Sequence, residues 1–217
     1  NGLGDQLAGG SRSMAMVIGK GSIEFAPQVK GLEIPGYEPR ALQTMALGFA
    51  VSSRGADHNR SGAYEIDFSE QGDRRQGSPA AAEGAMATED RATIMDSLIL
   101  CKFLRGALDD FYGEAAAMLS HVTGWDVDGE ELQQVARRVA AARKLFNVQS
   151  GWTPEEDSLP ARFLSTALPD DPQARLTAEQ LEEMVRAYNR GRGWEDNGFL
   201  PDELLLQYGL DSLAEGR

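Results

Sequence analysis

A chain of 217 residues with 41% hydrophobic and 25% charged side chains is long enough for one large domain or two small ones, and its composition is that of an ordinary globular protein. The formal net charge of -13 repels nucleic-acid backbones and the anionic face of a membrane, which argues against both as partners. The longest apolar stretch, residues 94–100, is interrupted by Asp96 and too short to span a bilayer, and the single cysteine, Cys101, excludes an intrachain disulfide, so a cytoplasmic location is expected.

Residues 1–49 contain signals for two helices. Apolar residues between positions 3 and 18 recur near a 3.6-residue period, which predicts a helix interrupted at Gly9-Gly10 and ending near Gly19. Residues 30–33 are predicted to be extended. Pro39 then favours a second helix that begins at residues 37–39 with proline at its first position. The predicted apolar face of this helix is Leu42, Met45, Ala46 and Phe49.

The middle of the chain alternates between polar and apolar segments. Residues 69–89 consist mostly of Gly, Ser, Ala, Arg and Glu with no sustained period, so we predict a surface loop with residues 69–87 disordered or poorly ordered. Order is expected to resume at Thr88, a plausible N-cap residue. Residues 94–103 are apolar nearly all round and are predicted to form the buried core of the chain.

The C-terminal half is predicted to contain two long helices, a short helical turn and a short final helix over residues 201–208. The signals are a capping pair Asp128 and Glu131 before an apolar stripe ending near Phe146, the turn residues 153–156, and a second capping pair Thr177 and Gln180 before a helix ending at Gly191 or Gly193. Alternating strand patterns are almost absent, so the fold class is mainly α.

Three residues are candidates for a functional site. Asp96 places a carboxylate inside an apolar helix, where it needs either a neighbouring helix N-terminus or arginine, or a ligand with several N–H donors. Cys101 follows five residues later, and a lone buried cysteine is most often a small hydrophobic residue. His58 follows Gly55 in a polar and basic cluster, which is consistent either with a solvated loop or with a site.

Several segments together resemble the aldehyde ferredoxin oxidoreductase family. They are residues 29–41 (VKGLEIPGYEPRA), 53–58 (SRGADH), 96–103 (DSLILCKF), 145–152 (LFNVQSGW), 157–163 (DSLPARF) and 192–198 (RGWEDNG). The resemblance covers nearly the whole chain and implies the multi-helical C-terminal domain of that fold, with a long irregular loop. Residues 1–28 would end the family's helical middle domain, and residues 29–217 would form the helical C-terminal domain.

The resemblance also implies a chemistry. Members of the family hold tungsten, or molybdenum, between two pterins and pass electrons from aldehyde oxidation through a 4Fe-4S cluster to ferredoxin. In their Asp-x-x-x-Leu-Cys motif, matched here by Asp96, Leu100 and Cys101, the aspartate binds a pterin, the leucine packs beside it and the cysteine ligates the cluster. His58 matches a histidine close to the metal, where it would bond the substrate oxygen or move a proton.

This chain carries only part of the family's site. The other three cluster cysteines, the second pterin motif and the β-rich domain lie upstream in the family, so we expect the isolated chain to be inactive and to need the remainder of its polypeptide. Two alternatives stay open: the tungsten subunit of a benzoyl-coenzyme A reductase, and a cofactor-free structural domain. A homodimer is also left open. Trp152, Phe163 and Trp194 are expected to serve packing.

Overall fold

The computed structural model of the chain describes residues 2–69 and 73–214, and this part is mainly helical, as the sequence predicts. In it, no helix has both the length and the apolar character needed to cross a membrane. The helices are α1 Leu3–Leu7, α2 Gly10–Ile18, α3 Gln43–Val51, α4 His58–Ser61, α5 Tyr64–Asp67, α6 Ala81–Ser97, α7 Phe111–Thr123, α8 Gly129–Gln149, α9 Ala161–Ser165, α10 Ala178–Gly191, α11 Asp202–Gln207 and α12 Asp211–Ala214.

The N-terminal segment is the predicted broken helix. Gly10 adopts a φ of +80°, which separates α1 from α2, and Gly19 ends α2 at a φ of +66°. A short antiparallel hairpin follows, with strands β1 Gln28–Val29 and β2 Leu32–Glu33. The Glu33 carboxylate accepts a hydrogen bond from the Ser11 backbone N–H at 2.6 Å, so the hairpin is tied to the start of α2.

Helix α3 lies at the centre of the larger of two apolar clusters and is buried along its whole length. It begins at Gln43, so the predicted start at residues 37–39 is wrong. The reason is a cap supplied from far along the chain: the Asp67 carboxylate accepts hydrogen bonds from the N–H groups of Thr44, at 3.1 Å, and Met45, at 2.8 Å. These first-turn donors would otherwise be buried without partners.

Helix α6 contradicts the last part of the predicted loop over residues 69–87, because residues 81–87 are helical. It begins at Ala81, so Thr88 lies inside the helix, where its hydroxyl donates to the Gly84 carbonyl at 3.1 Å. Alanine has the highest helix propensity, and Ala82 and Ala85 are buried against neighbouring helices, but neither supplies the large apolar side chain that would reveal a period. Turns occur at residues 74–75 and 79–80, and residues 70–72 lie outside the described part.

The predicted signals of the C-terminal half are confirmed. Asp128 caps α8 by accepting the Glu131 N–H at 2.9 Å, and Thr177 and Gln180 form a reciprocal capping box at α10. The turn Pro154–Glu156 and helix α11 are also present. Phe146, however, is largely exposed. The buried face of α8 instead carries the following residues: Leu132, Ala136, Ala140, Ala141, Lys144 and Leu145.

Lys144 is a buried cation held by the segment that follows α8. Its Nζ lies 2.8 Å from Asp157 Oδ2 and 3.1 Å from the centre of the Trp152 ring. Lys30 occupies the other oxygen of the same carboxylate at 2.7 Å, so two cations share one anion. Burial lowers the pKa of Lys144 to about 8. Trp152 is therefore a packing residue, as predicted, and its ring also makes a cation–π contact with Lys144.

We expect Lys144 to make the stability of the chain rise with pH. Between pH 8 and 10.5 the unfolded lysine keeps a proton that the folded one has lost, so the free energy of unfolding should increase by up to roughly 3 kcal/mol across this range. Urea unfolding of the wild type and of Lys144→Met at several pH values measures this rise as a difference between the two proteins. Lys20→Met, at an exposed lysine, is the control. A difference that does not vary with pH would contradict the expectation.

Candidate functional site

A cleft of about 490 Å³ brings together two residues that the sequence marked separately, His58 and Asp96. It opens between the hairpin, the turn before α4, the C-terminal end of α6 and the segment that follows α6. The residues that line it are Leu32, Glu33, Pro35, Arg54, Ala56, Asp57, His58, Asn59, Arg60, Asp96 and Lys102. His58 and Asp96 are 38 positions apart in the chain, so only the packing of α4 against α6 creates this site.

The turn before α4 is fixed by its own polar groups. Asp57 is the N-cap residue, and its carboxylate accepts hydrogen bonds from the N–H groups of Asn59, at 2.9 Å, and Arg60, at 3.2 Å. Gly55 has a φ of +91°, and a Cβ at this position would lie 2.0 Å from the Val29 carbonyl oxygen. Glycine is therefore required for the turn to pack against the hairpin, and this contact sets the position of His58.

The His58 side chain is half-buried beside two tyrosines. Its ring centre lies 5.2 Å from that of Tyr37 and 6.2 Å from that of Tyr64, and the two tyrosine rings are stacked at 5.1 Å. Contacts of this kind restrict the orientation of the imidazole. His58 is therefore not a freely solvated loop residue, and one side of it faces a cleft.

Asp96 lies in the last turn of α6 with 31% of its side chain exposed, so the expectation that it is buried is wrong. Its carboxylate lies 2.8 Å from the Nζ of Lys102, which also donates to the Ala92 carbonyl at 2.9 Å. The partner is therefore a lysine of the following segment rather than an arginine or a helix N-terminus. Sequence reasoning missed Lys102, because its distance of six residues from Asp96 matches no helical spacing.

The segment after α6 is exposed, although the sequence predicted residues 94–103 to be core. Ile94 and Met95 are fully buried as predicted, but Ile99 is 92% and Phe103 98% exposed, and Cys101 is also exposed. Leu100 is half-buried and packs against the second, smaller apolar cluster, whose large members are Ile94, Met95, Phe111 and Leu132. The exposed apolar side chains of this segment, Ile99 and Phe103, are thus not used for packing within the described part of this chain.

Helix α6 ends in a turn whose left-handed position is occupied by Ile99, although glycine is the residue that usually takes this conformation. The Leu100 N–H donates to the Met95 carbonyl at 2.8 Å and the Ile99 N–H to the Asp96 carbonyl at 3.3 Å, a Schellman pattern. Ile99 occupies its left-handed position with a φ of +58°. A β-branched residue is strained there by about 1–2 kcal/mol, and strain of this kind is concentrated at functional sites.

Ile99→Gly is accordingly expected to stabilise the chain by about 1 kcal/mol, since relief of strain exceeds the added flexibility of the unfolded state. Little burial is lost, because the isoleucine side chain is exposed. Urea unfolding measures the change. Val122→Gly removes an equally exposed side chain inside α7 and should destabilise the chain. If both glycine variants were destabilised alike, the strain at Ile99 would be disproved.

The donor set of the site fits one edge of a cofactor rather than a complete binding site. Among the residues that the structure describes, no group of three or more His, Cys, Asp or Glu side chains could hold a metal ion. Cys101 offers one exposed thiol, whereas a four-iron cluster is normally held by four ligands. Asp96 offers a partly exposed carboxylate that can accept hydrogen bonds. A four-iron cluster held by Cys101 would therefore need further ligands that the described residues do not group around it.

Comparison with known proteins gives a consistent result. The family model described as aldehyde ferredoxin oxidoreductase, domains 2 and 3, matches residues 1–210. Tungsten-containing aldehyde ferredoxin oxidoreductases from Pyrococcus furiosus and Thermococcus kodakarensis are 32% and 31% identical to the chain over 96% of its length. The chain spans about a third of these relatives, 34% of each.

A solved structure shares the fold. It is a chain of the active-site complex of benzoyl coenzyme A reductase with 1,5-dienoyl-CoA, which superimposes with a TM-score of 0.71 over 99% of this chain and 37% of its own length. The sequence identity of 17% is low, so this likeness concerns the architecture alone.

Proposed function

Because the chain belongs to the aldehyde ferredoxin oxidoreductase family, we propose that it is the C-terminal part of a tungsten-pterin, iron–sulfur enzyme that oxidises aldehydes to carboxylic acids with ferredoxin as electron acceptor. The observation that carries the proposal is the cleft that His58 and Asp96 both line. These are the two positions that match the family's metal-side histidine and its pterin-binding aspartate.

The chain's own residues have separate roles in this proposal. The tungsten-pterin cofactor, when bound, supplies the redox chemistry at the aldehyde carbon. His58 donates a hydrogen bond to the substrate oxygen, or accepts a proton as water adds to the aldehyde. The Asp96 carboxylate accepts hydrogen bonds from N–H groups of a pterin edge, and Leu100 packs beside that edge. Cys101 supplies one thiolate of a 4Fe-4S cluster.

The remaining parts of the site are assigned to the rest of the polypeptide. That part would supply the other cluster ligands and the second pterin motif, and it would cover the exposed segment from Asp96 to Phe103. In the same scheme residues 1–28 belong to the end of the preceding domain. The lengths of the relatives support this assignment of the missing ligands to another part of the polypeptide, since each relative is about three times as long as the chain.

Two other functions are tested together with this one. A benzoyl-coenzyme A reductase subunit has support from the shared fold, but the relatives with about 30% identity favour aldehyde oxidation. A purely structural role does not explain why a turn that requires glycine at position 55 places a histidine beside an open cleft. The proposal for aldehyde oxidation therefore accounts for more of the sequence and structural observations than either alternative.

The decisive experiment is metal analysis and activity measurement on the full-length protein that contains this region. We expect tungsten, iron and sulfide in constant ratio to the polypeptide, and ferredoxin reduction that depends on an aldehyde. Reduction of benzoyl-coenzyme A without aldehyde oxidation would assign the alternative enzyme. A protein that lacks both metals would support the structural-domain alternative.

Asp96→Asn is expected to lower the tungsten content of the full-length protein several-fold, because the amide keeps the size but turns a donor toward the N–H groups that the carboxylate accepts. Tungsten per polypeptide is the measurement, and Asp126→Asn, at an exposed aspartate of the α7–α8 connection, is the control. Lys102→Met separates cofactor binding from the ion pair seen here. An equal loss of tungsten in Lys102→Met and Asp96→Asn would assign Asp96 to the ion pair alone.

A further inference from the structure

Arg105 is a largely buried residue in a mostly exposed segment. It follows a 3₁₀ turn, Lys102–Leu104, and lies four residues after Cys101. Its side chain is only 12% exposed, whereas Cys101 and Phe103 of the same segment are exposed. Burial also lowers the pKa of the Arg105 guanidinium from its ordinary value, with Tyr37 acting in the opposite direction. A cation placed in this way needs partners, and it finds all of them on the elements around His58.

The guanidinium contacts α4 and α5 through two hydrogen bonds, a cation–π contact and an ion pair. Its Nη2 donates to the Asn59 carbonyl oxygen at 3.0 Å, so it binds the backbone next to His58. Its Nη1 donates to the Tyr64 hydroxyl, and its Cζ lies 5.3 Å from the centre of the Tyr64 ring. Its Nε lies 3.2 Å from Glu65 Oε1. The planar fork of arginine satisfies these partners at once, which the single ammonium of a lysine does not.

The contacts continue from Arg105 to the imidazole. Tyr64, held on one face by the guanidinium, is packed against Tyr37 and His58. Lys102, by contrast, turns back to α6 through Asp96 and the Ala92 carbonyl. Arg105 thus connects the segment that contains Cys101 to α4, the helix that begins at His58.

We infer that Arg105 is a positioning residue, which holds the His58 imidazole at a fixed place relative to Asp96 and Cys101. The catalytic part of this inference rests on the function proposed above. The positional part rests on the contacts alone. Since proton transfer and substrate bonding require groups placed within a few tenths of an ångström, loss of this hold reduces turnover without removing a catalytic group.

The test uses the full-length protein and a matched pair of substitutions. Arg105→Gln removes the contacts to Asn59, Tyr64 and Glu65. Arg91→Gln removes the other arginine that pairs with Glu65 and is the control, because Arg91 shares only that partner. The first measurement is the rate at which diethyl pyrocarbonate modifies His58, followed by mass spectrometry, with the exposed His121 as internal reference.

We expect His58 to be modified several-fold faster in Arg105→Gln than in the wild type or in Arg91→Gln, with the His121 rate unchanged. Turnover of aldehyde should fall by about tenfold in Arg105→Gln with little change in KM, and Arg105→Lys should recover part of it. In the double variant with His58→Ala, Arg105→Gln should cause no further loss, since both changes act through one imidazole.

Equal His58 modification rates in the two glutamine variants would overturn the inference, whatever the activity. Additive losses in the double variant would also overturn it, because they would mean that Arg105 acts independently of His58. A wild-type protein without aldehyde turnover but with faster His58 modification in Arg105→Gln would refute the proposed function and still support the positioning role. The two proposals therefore fail in distinguishable ways.

Discussion

Arg192→Met is expected to destabilise the chain by about 3 to 5 kcal/mol, because it leaves two largely buried carboxylates without their cation. The Arg192 side chain is 3% exposed, and its two terminal nitrogens lie 2.5 Å from Asp90 Oδ1 and 2.6 Å from Glu89 Oε2. Tyr188 donates its hydroxyl to the same Glu89. Burial already raises the pKa of Asp90 despite the arginine. Without Arg192, no ion pair offsets the desolvation free energy of that carboxylate.

Arg190→Met provides the control for this loss. Arg190 is two residues earlier and also pairs with a carboxylate, Asp196, but both of these side chains are exposed. Exposed ion pairs contribute about 0 to 1 kcal/mol, so this variant should unfold close to the wild type. Urea unfolding of both variants at neutral pH measures the contrast. A loss below about 1 kcal/mol for Arg192→Met would mean that the network relaxes or hydrates, and that it does not hold α6 against α10.

His58→Ala is expected to lower the aldehyde turnover of the full-length enzyme by about 100-fold or more while the contents of tungsten and iron stay unchanged. The reason is that the imidazole bonds the substrate oxygen or moves the proton, and neither role requires it to hold a metal. Metal analysis and steady-state kinetics on the same preparation measure the two quantities together.

The control for His58 is the other histidine of the sequence. His121 lies exposed near the end of α7, and His121→Ala should leave both turnover and metal content unchanged. His58→Asn keeps a polar side chain of smaller reach and should lose turnover as well. Full activity in a correctly metallated His58→Ala enzyme would remove His58 from the site.

The sequence predicts well wherever the signal is local. The Asp128 cap, the Thr177–Gln180 capping box and the break at Gly9-Gly10 each depend on residues within one helical turn, and each is confirmed. The match of motifs to one family is also a property of the sequence, and the family model confirms it over residues 1–210. These features need no knowledge of distant contacts.

The candidate site was predicted only in part. Asp96, Cys101 and His58 were candidates from the sequence itself, the resemblance to the family added Leu100 and a role for each residue, and these roles remain proposals. Lys102 and Arg105 were not identified, although one pairs with Asp96 and the other grips the backbone beside His58. A lysine and an arginine on a short segment give no pattern, because basic residues are most often solvated.

By itself, the sequence determined the mainly α class, the C-terminal capped helices and the family, because capping, helical period and motif identity are all short-range properties. Only the tertiary structure decided where α3 and α6 begin and which part of residues 94–103 is buried. Asp67 caps α3 from more than 20 residues away, and α6 is stabilised by alanines whose burial depends on neighbouring helices. The cleft lined by His58 and Asp96 likewise depends on the packing of α4 against α6, a contact that no local pattern encodes.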